Sequence, residues 1–214
     1  MIKMARAMTP EEHARIAEAV QAAEAKTSGE IFCVVARASA SYFFHAGFMV
    51  TLAIVILSLA VAYVLDLWWY ELKPVTLVVA QLVTIACALA VLAIFPAIRI
   101  HLVPLSQRYR KAHDNAMKQF LGRNIHITTA RTGVLIFVSL AERYAEVVAD
   151  AGINAKVTQE TWDSVVAGLI AHAREDRIAD GFVEAIGRVG ALLAEHFPVT
   201  AGDVNELDDH VVEI

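Results

Sequence analysis

The chain has 214 residues, a formal net charge of −5, a hydrophobic fraction of 57% and a mean hydropathy of +0.54. This length allows one domain of ordinary size with an additional element, and the composition is too apolar for an average soluble domain. The two cysteines, Cys33 and Cys87, have neither CxxC nor zinc-ligand spacing, which excludes a disulfide scaffold and a cysteine-based zinc site.

The amino-terminal segment reads as a helix, a turn and one strand. Thr9-Pro10-Glu11-Glu12 predicts a helix start, with Thr9 as N-cap and Glu12 closing a capping box. Ile31 to Ala36 are apolar on both faces, which is typical of a strand buried within a sheet. No partner strand follows at once along the chain.

Two long apolar runs come next. Ala46–Leu65 and Pro74–Ile98 contain no charged residue, and each is long enough to cross the ~30 Å hydrocarbon core of a bilayer. Trp68, Trp69 and Tyr70 follow the first run, where an aromatic belt would lie. We therefore predict transmembrane helices at residues 42–70 and 74–98. The alternative is a buried helical hairpin, but core helices are rarely apolar on all sides for this length.

Charge around the runs predicts their orientation. Residues 99–123 contain six Lys or Arg residues and one acid, whereas residues 124–214 contain fifteen acids and six bases. The loop between the runs has Asp66, Glu71 and only Lys73, so the positive-inside rule predicts cytosolic termini and an external loop in the cytoplasmic (inner) membrane. Anionic headgroups explain the membrane-proximal basic residues better than nucleic acid does. Those residues are Arg99, Arg108, Arg110 and Lys111.

The remaining chain supplies the missing strands. An apolar stripe through Tyr109 predicts a helix, and two runs at 134–140 and 146–150 predict a strand hairpin. Two more helices carry Trp162 and Phe182, and an acidic tail at 199–214 reads as a flexible or partner-docking end. Because neither half has enough strands for its own sheet, residues 1–40 and 104–198 are predicted to form one domain, split by the apolar hairpin.

Several of these segments resemble the TPM domain family. They are TSGEI before the first strand, RTGVLIFVSLAER, EVVADAGI, the helix with Trp162, and DGF at Asp180. The resemblance covers about residues 9–198 with the hairpin set aside, and it is strongest to a bacterial subgroup whose domain is split by two spans. It implies a three-layer α/β/α fold. Some relatives in this family, which includes thylakoid-lumen and photosystem-repair proteins, have been described as acid phosphatases or metal-binding proteins, and others as accessory proteins.

Carboxylates are the candidate site residues. Glu142, Asp150 and Asp180, with Asp176, are oxygen donors that suit Ca²⁺ or Mg²⁺, and Asp150 ends a strand, where α/β folds place ligands. The alternative is that Asp150 caps a turn and that Arg174–Arg177 is a solvated helix end with local ion pairs. No P-loop and no GxSxG motif is present, and neither cysteine lies in a loop suited to a nucleophile.

Two functions remain open from the sequence. The first is a membrane protein that presents a TPM-like domain to the cytosol as a binding or accessory module, with the lipid bilayer and another membrane protein as partners. The alternative is a weak divalent-metal-dependent phosphatase of the acid-phosphatase type. It needs Glu142, Asp150 and Asp180 to converge in a cleft. Ca²⁺ or Mg²⁺ is the cofactor that this carboxylate set suggests.

Overall fold

A computed structural model describes residues 8–68, 73–127, 131–199 and 210–214. The chain divides into two compact units, one within residues 40–108 and the other within residues 5–39 and 109–214. The predicted aromatic belt depends in part on Trp69 and Tyr70, which lie outside the described residues.

The helices and strands follow the predicted order, with short additions. The helices are α1 (Pro10–Glu24), α2 (Phe43–Leu67), α3 (Pro74–Ile94), α4 (Pro96–Arg99), α5 (Leu105–Gly122), α6 (Ala151–Asn154), α7 (Gln159–Arg174) and α8 (Ile178–His196). The strands are β1 (Glu30–Ala36), β2 (Gly133–Ser139), β3 (Tyr144–Ala149) and β4 (Val212–Glu213). Short 3-10 turns cover Ile100–Leu102 and Ile125–Ile127.

One sheet joins the two halves of the split domain. Its strand order is β3-β2-β1-β4, and β1 pairs in parallel with β2 along its whole length, from Glu30 opposite Gly133 to Ala36 opposite Ser139. Ile31 lies opposite Val134, so the predicted partner of the first strand is confirmed. β2 and β3 form the predicted antiparallel hairpin.

The sheet lies between two helical layers. Alternate residues of β1 face opposite sides, and Ile31 and Val35 pack in a core with α1, α7 and α8. Phe32 and Val34 pack on the other side, against the α5 residue Phe120. All seven residues of β1 are buried, as expected for a strand covered on both faces. The three-layer α/β/α fold is therefore confirmed.

Helix α1 begins where the capping signal predicts. The N–H of Glu12 donates to Thr9 Oγ1 at 3.2 Å, and the N–H of Thr9 donates to Glu12 Oε2 at 2.7 Å. This reciprocal pair satisfies two of the amide groups that a helix start leaves without partners. The cap therefore fixes the start of the helix that buries Ile16 and Val20 in the core.

The end of the chain corrects the prediction for residues 199–214. Residues 200–209 lie outside the described part, but Val212 and Glu213 form β4, parallel to β1. The N–H of Ile214 donates to Val35 O at 2.9 Å, and Val211 is buried in the core. The prediction of a flexible end was wrong here because a two-residue strand is too short to show periodicity.

Glu213 ties this last strand to the start of the domain. Its carboxylate accepts from the Met8 N–H at 2.9 Å and lies 3.1 Å from His13 Nε2 and 3.7 Å from the Arg37 guanidinium. Burial acts to raise the pKa of Glu213. The hydrogen bond from Met8, with the His13 and Arg37 side chains, outweighs burial and holds the pKa below its ordinary value.

The apolar unit consists of α2 and α3, which pack against each other. A Cβ on Gly47 of α2 would lie 3.2 Å from Leu89 Cδ2 of α3, so glycine permits this close approach. Both helices are long and apolar enough to cross a membrane. In the most apolar 18-residue segment of each helix, 0% of the α2 segment and 6% of the α3 segment is buried within the protein.

Helix α3 ends at Ile94, earlier than the predicted limit of residue 98. Pro96 has no N–H and cannot continue the helix. Arg99 then donates from Nε to Leu92 O at 2.7 Å and from a terminal nitrogen to Ala93 O at 2.9 Å. The guanidinium thus satisfies two carbonyls that the helix end leaves without partners.

Gly133 marks the closest contact between β2 and the turn that precedes it. A Cβ at this position would lie 2.2 Å from Ile125 O and 2.7 Å from Ile125 Cγ2. Backbone atoms cannot move aside cheaply, so only glycine fits here. Gly187 on α8 differs, because its Cβ would meet nothing within 4 Å.

Gly133→Ala is expected to destabilise the protein by about 1–3 kcal/mol, because the added methyl group forces the backbone apart. Gly187→Ala is the matched control, and we expect it to stabilise the protein by about 1 kcal/mol through helix propensity. Thermal unfolding of the full chain in detergent measures both. Shifts of the same sign and size would contradict the packing at Gly133.

Glu213→Gln is expected to lower stability at neutral pH and to have no effect in acid. The folded pKa of Glu213 is depressed, so its contribution is complete above the pKa of an unfolded glutamate, about 4.3. It is lost as the pH falls through the lower folded pKa. Melting temperatures of both proteins from pH 7 to pH 3 should converge, and a constant difference would contradict this assignment.

Candidate functional site

The three predicted metal ligands lie apart. Glu142 is in the turn that joins β2 to β3, whereas Asp150 follows the other end of β3 and donates its N–H to Gly133 O at 3.0 Å. The strand between them spans about 20 Å at ~3.4 Å per residue. One ion cannot contact both carboxylates.

Asp180 lies in the first turn of α8 and has a cationic partner. The Arg15 guanidinium donates to Asp180 Oδ1 at 2.6 Å. This hydrogen bond is the main cause that holds the pKa of Asp180 below its ordinary range, with the charges of Arg177 and His172 adding to it and desolvation opposing it. Asp176 precedes α8 in a left-handed conformation (φ 64°), so it does not share a helix face with Asp180.

The carboxylates do not fit a shared Ca²⁺ or Mg²⁺ site. Among residues 8–68, 73–127, 131–199 and 210–214, no group of three His, Cys, Asp or Glu side chains is close enough to hold a metal ion. Asp150 caps the short helix α6 by accepting from the Ala151 N–H at 2.6 Å. Its second oxygen is buried without a hydrogen-bond partner in that part of the chain.

A chain of hydrogen bonds lies at the carboxyl ends of β1 and β2. Glu142 is 1% exposed and accepts from the Ser39 N–H at 3.0 Å and from the Ser139 hydroxyl. Ser139 gives its single proton to Glu142, so the Ser39 hydroxyl donates to Ser139 Oγ, 2.8 Å away. The Asn115 amide donates in turn to Ser39 Oγ at 3.5 Å.

We call Ser39, Asn115, Ser139 and Glu142 the polar cluster. Parallel sheets usually bind ligands at this edge. Here, however, the hydrogen bonds among these four side chains run within the protein, and Ser139 is fully buried, so it is not placed to attack a substrate. The cluster fixes Ser39, the last residue before the apolar unit, against the sheet.

A groove of about 360 Å³ lies between β3 and α7. Among the described residues, its lining includes the two acids Glu146 and Asp163 and no Lys, Arg or His. Asp163 faces the groove from α7, whereas the Glu146 carboxylate lies on the α5 side of β3, so negative charge flanks the strand on both sides. The lining residues are Tyr144, Ala145, Glu146, Val147, Val148, Ala149, Asn154, Gln159, Trp162, Asp163 and Val166.

β3 is an outer strand of the sheet, and its free edge borders this groove. The Asp150 N–H donates to Gly133 O, and in an antiparallel pair every second residue forms such bonds. Counting back from Asp150, every second residue of β3 therefore also bonds to β2. Ala145 and Val147 fall between them and direct their N–H and C=O groups outward. Over the described residues, no backbone hydrogen bond reaches these outward groups.

The other face of β3 is fixed by a small polar network. Glu146 accepts from the Tyr144 hydroxyl at 3.0 Å and lies 2.9 Å from His113 Nδ1 on α5. Burial raises the pKa of Tyr144 strongly, and the negative charge of Glu146 and its hydrogen bond add to this effect. Tyr144 therefore stays a neutral donor that holds the Glu146 carboxylate in place.

The predicted membrane-surface basic residues occupy different environments. Arg99 caps α3, Arg110 is exposed, and Lys111 is half-buried. The Nε of Arg108 is buried and has no hydrogen-bond partner within the described ranges. Contact of these side chains with anionic headgroups stays a prediction.

Neither the polar cluster nor the groove was predicted from the sequence. A serine at a strand end with a glutamate three residues later is a local hydrogen-bonding pattern, and Ser139 and Glu142 form it here. The groove needs the knowledge that β3 is an outer strand, which depends on the order of strands distant in the chain.

Glu142→Gln is expected to destabilise the protein by about 1–3 kcal/mol, because an amide cannot accept both hydrogen bonds of the carboxylate and adds a buried donor. The control is Glu175→Gln, whose side chain is exposed beside Arg177 and should change stability by no more than about 0.5 kcal/mol. Equal melting temperatures for the two variants would show that the polar cluster does not hold Ser39.

Part of the chain is similar to known proteins. Residues 96–192 match the family model of the TPM domain. The structure is similar to the NMR structure of the BA42 protein from the psychrophilic bacterium Bizionia argentinensis, a TPM-fold protein, with a TM-score of 0.60 and 20% identity over 100% of this chain and 99% of that one. At this identity the likeness shows the fold alone. No curated protein matches. Residues 96–192 therefore match the sequence pattern of the TPM domain, and the fold is similar to that of a TPM-fold protein.

Proposed function

We propose that this chain is an integral protein of the cytoplasmic membrane that presents its TPM domain to the cytosol as a binding module. The observation that carries the proposal is the sheet itself. β1 precedes the apolar helices and β2 follows them, yet the two strands pair over seven residues. The chain therefore leaves the domain after β1, forms the two apolar helices, and returns to the same domain at β2.

Two helices with exposed apolar sides support a bilayer as their environment. Large side chains such as Phe48, Leu57 and Leu82 are more than half exposed. Contiguous apolar surface of this extent marks contact with lipid or protein. Two passes return the chain to the side that it left, which agrees with one domain assembled from both halves.

Charge supports the cytosolic side. The Lys/Arg cluster lies directly after α3, whereas the stretch between the two apolar runs, residues 66–73, holds Asp66 and Glu71 against the single Lys73. Short loops with few Lys/Arg are preferentially exported. The same asymmetry supports anionic headgroups as the lipid partner near Arg110 and Lys111.

A binding role fits the domain better than catalysis. The groove beside β3 offers free main-chain groups and charge, whereas the hydrogen bonds of the polar cluster run within the protein. The phosphatase alternative requires converging carboxylates, and Glu142 and Asp150 are separated by the length of β3. No described feature of the structure therefore favours it.

Cysteine labelling in intact cells tests the proposed topology. In a Cys87→Ser background, a membrane-impermeant maleimide should modify Lys73→Cys, which lies between α2 and α3, and should not modify Glu160→Cys on α7. Both positions are exposed on the protein, so the membrane is the only difference in access. The buried Cys33 should remain unmodified in both.

Detergent permeabilisation is the control, and it should make Glu160→Cys reactive. Modification of Glu160→Cys in intact cells would overturn the cytosolic placement of the domain. Release of the full chain from membranes by alkaline carbonate would overturn the integral membrane anchor.

A further inference from the structure

The open edge of β3 has the properties of a strand-accepting surface. Ala145 and Val147 direct two N–H and two C=O groups outward, toward the groove that α7 borders. Such an edge is a template for another strand, and an extended peptide that adds there gains main-chain hydrogen bonds. At the end of the strand, the Asn154 side chain donates to Ala149 O at 2.8 Å and so occupies that carbonyl.

Trp162 supplies a second, independent observation in the same groove. It lines the groove from α7 and is 3% exposed. Its indole N–H is buried and has no acceptor among the residues that the structure describes. A buried donor without an acceptor is costly, so this side of the groove holds a polar group that the described residues leave unsatisfied.

The negative charge beside β3 favours a basic partner segment over a second copy of this chain. Asp163 faces the groove, and Glu146 lies across β3 on the α5 side beside His113; among the described residues the lining contains no Lys or Arg. A second copy of this chain, paired through its own β3, would bring two such carboxylate pairs together. Like charges across a strand pair are unfavourable, so a basic partner is preferred over a second copy.

We propose that the groove between β3 and α7 binds an extended, basic segment of a partner protein as an additional strand of the sheet. The inference rests on the proposed binding-module function and names its partner class. Six residues of β3 span about 20 Å, enough for a peptide of about six residues. The volume of about 360 Å³ falls in the range of ordinary ligand sites.

Side chains of such a peptide would alternate between two environments. One set would point toward α7, over Trp162 and Val166. The other would point toward the α5 side of the sheet, where Glu146 lies. Small apolar residues suit the first set and Lys or Arg the second, so the expected motif is an alternation of basic and aliphatic residues.

Peptide binding to the full chain in phosphatidylcholine nanodiscs tests the proposal. The probe is the acetylated and amidated octapeptide (Lys-Val)4, with (Glu-Val)4 and a (Lys-Val)4 whose backbone nitrogens are all methylated as controls. We expect (Lys-Val)4 to bind at least tenfold more tightly than either control. Equal binding of the methylated peptide would overturn the added strand, because that peptide cannot donate main-chain hydrogen bonds.

Hydrogen exchange locates the bound peptide. The amides of Ala145 and Val147 should exchange more slowly with (Lys-Val)4 present, whereas those of Glu146 and Val148 already bond to β2 and should change little. Unchanged exchange at Ala145 and Val147 in the presence of bound peptide would overturn the site. Dimerisation of the free protein with the same protection pattern would replace the partner by a second copy and would equally overturn the proposal.

Two pairs of variants separate the main-chain and charge contributions. Val147→Pro removes one outward N–H and should weaken binding at least tenfold, whereas Val147→Ala keeps that N–H and should bind within threefold of the wild type. Glu146→Gln with Asp163→Asn should weaken binding at least fivefold. Glu175→Gln with Glu195→Gln removes the same charge at exposed positions outside the groove lining and should have little effect. Equal effects of the two charge pairs would overturn the assigned polarity of the groove.

The outcome is separable from that of the topology experiment. If labelling places Lys73→Cys outside and the peptide leaves β3 unprotected, the partner class fails and the membrane-anchored module stands. If the peptide protects β3 and labelling marks Glu160→Cys in intact cells, the placement of the domain fails instead.

Discussion

The parallel pairing of β1 with β2 is the constraint on which the rest of the structure depends. The two strands are separated along the chain by both apolar helices, and their register is continuous from Glu30 to Ala36. Loop-closure entropy grows only slowly with length, so a long insertion between paired strands is tolerated. Once this pair forms, α1, α7 and α8 cover one face of the sheet and α5 the other. The polar cluster then fixes Ser39 at the point where the chain leaves the domain.

The two outer strands of the sheet, β4 and β3, lie in different environments. β4 pairs with β1 and is held by Glu213, which joins it to Met8 and His13. Among the described strands, β3 pairs with β2 alone, just as β4 pairs with β1 alone, and the other edge of β3 borders a groove. Natural sheets usually cover or charge a free edge to prevent aggregation. Glu146 and Asp163 supply such charge here, and the same carboxylates give the groove its proposed preference for a basic segment.

Local and periodic signals were sufficient for most of the fold. The TPEE capping box, the stripe that buries Ala116 and Phe120, and the apolar run of β1 each depend on neighbours a few residues away, so the sequence shows them directly. The site residues do not follow such a rule. Glu142, Asp150 and Asp180 share a chemistry, but their distances depend on which strand ends meet and on partners such as Arg15. The sequence could not show that Glu142 would accept a hydrogen bond from a serine, that Asp150 would cap a helix, or that Asp180 would pair with an arginine.

A cross-link between β1 and β2 in native membranes tests whether the two halves of the chain form one sheet. Cys33 lies opposite Ile136, and neighbouring strands are ~4.8 Å apart, within the Cα separation that a disulfide accepts. The chain would carry Ile136→Cys, Cys87→Ser and a protease site between α2 and α3. After oxidation and cleavage, we expect the two halves to remain one covalent species on a denaturing gel until reduction, and Val148→Cys in place of Ile136→Cys to give separate halves. Separate halves with Ile136→Cys, in membranes where the full chain is folded, would contradict a single domain closed across the apolar helices.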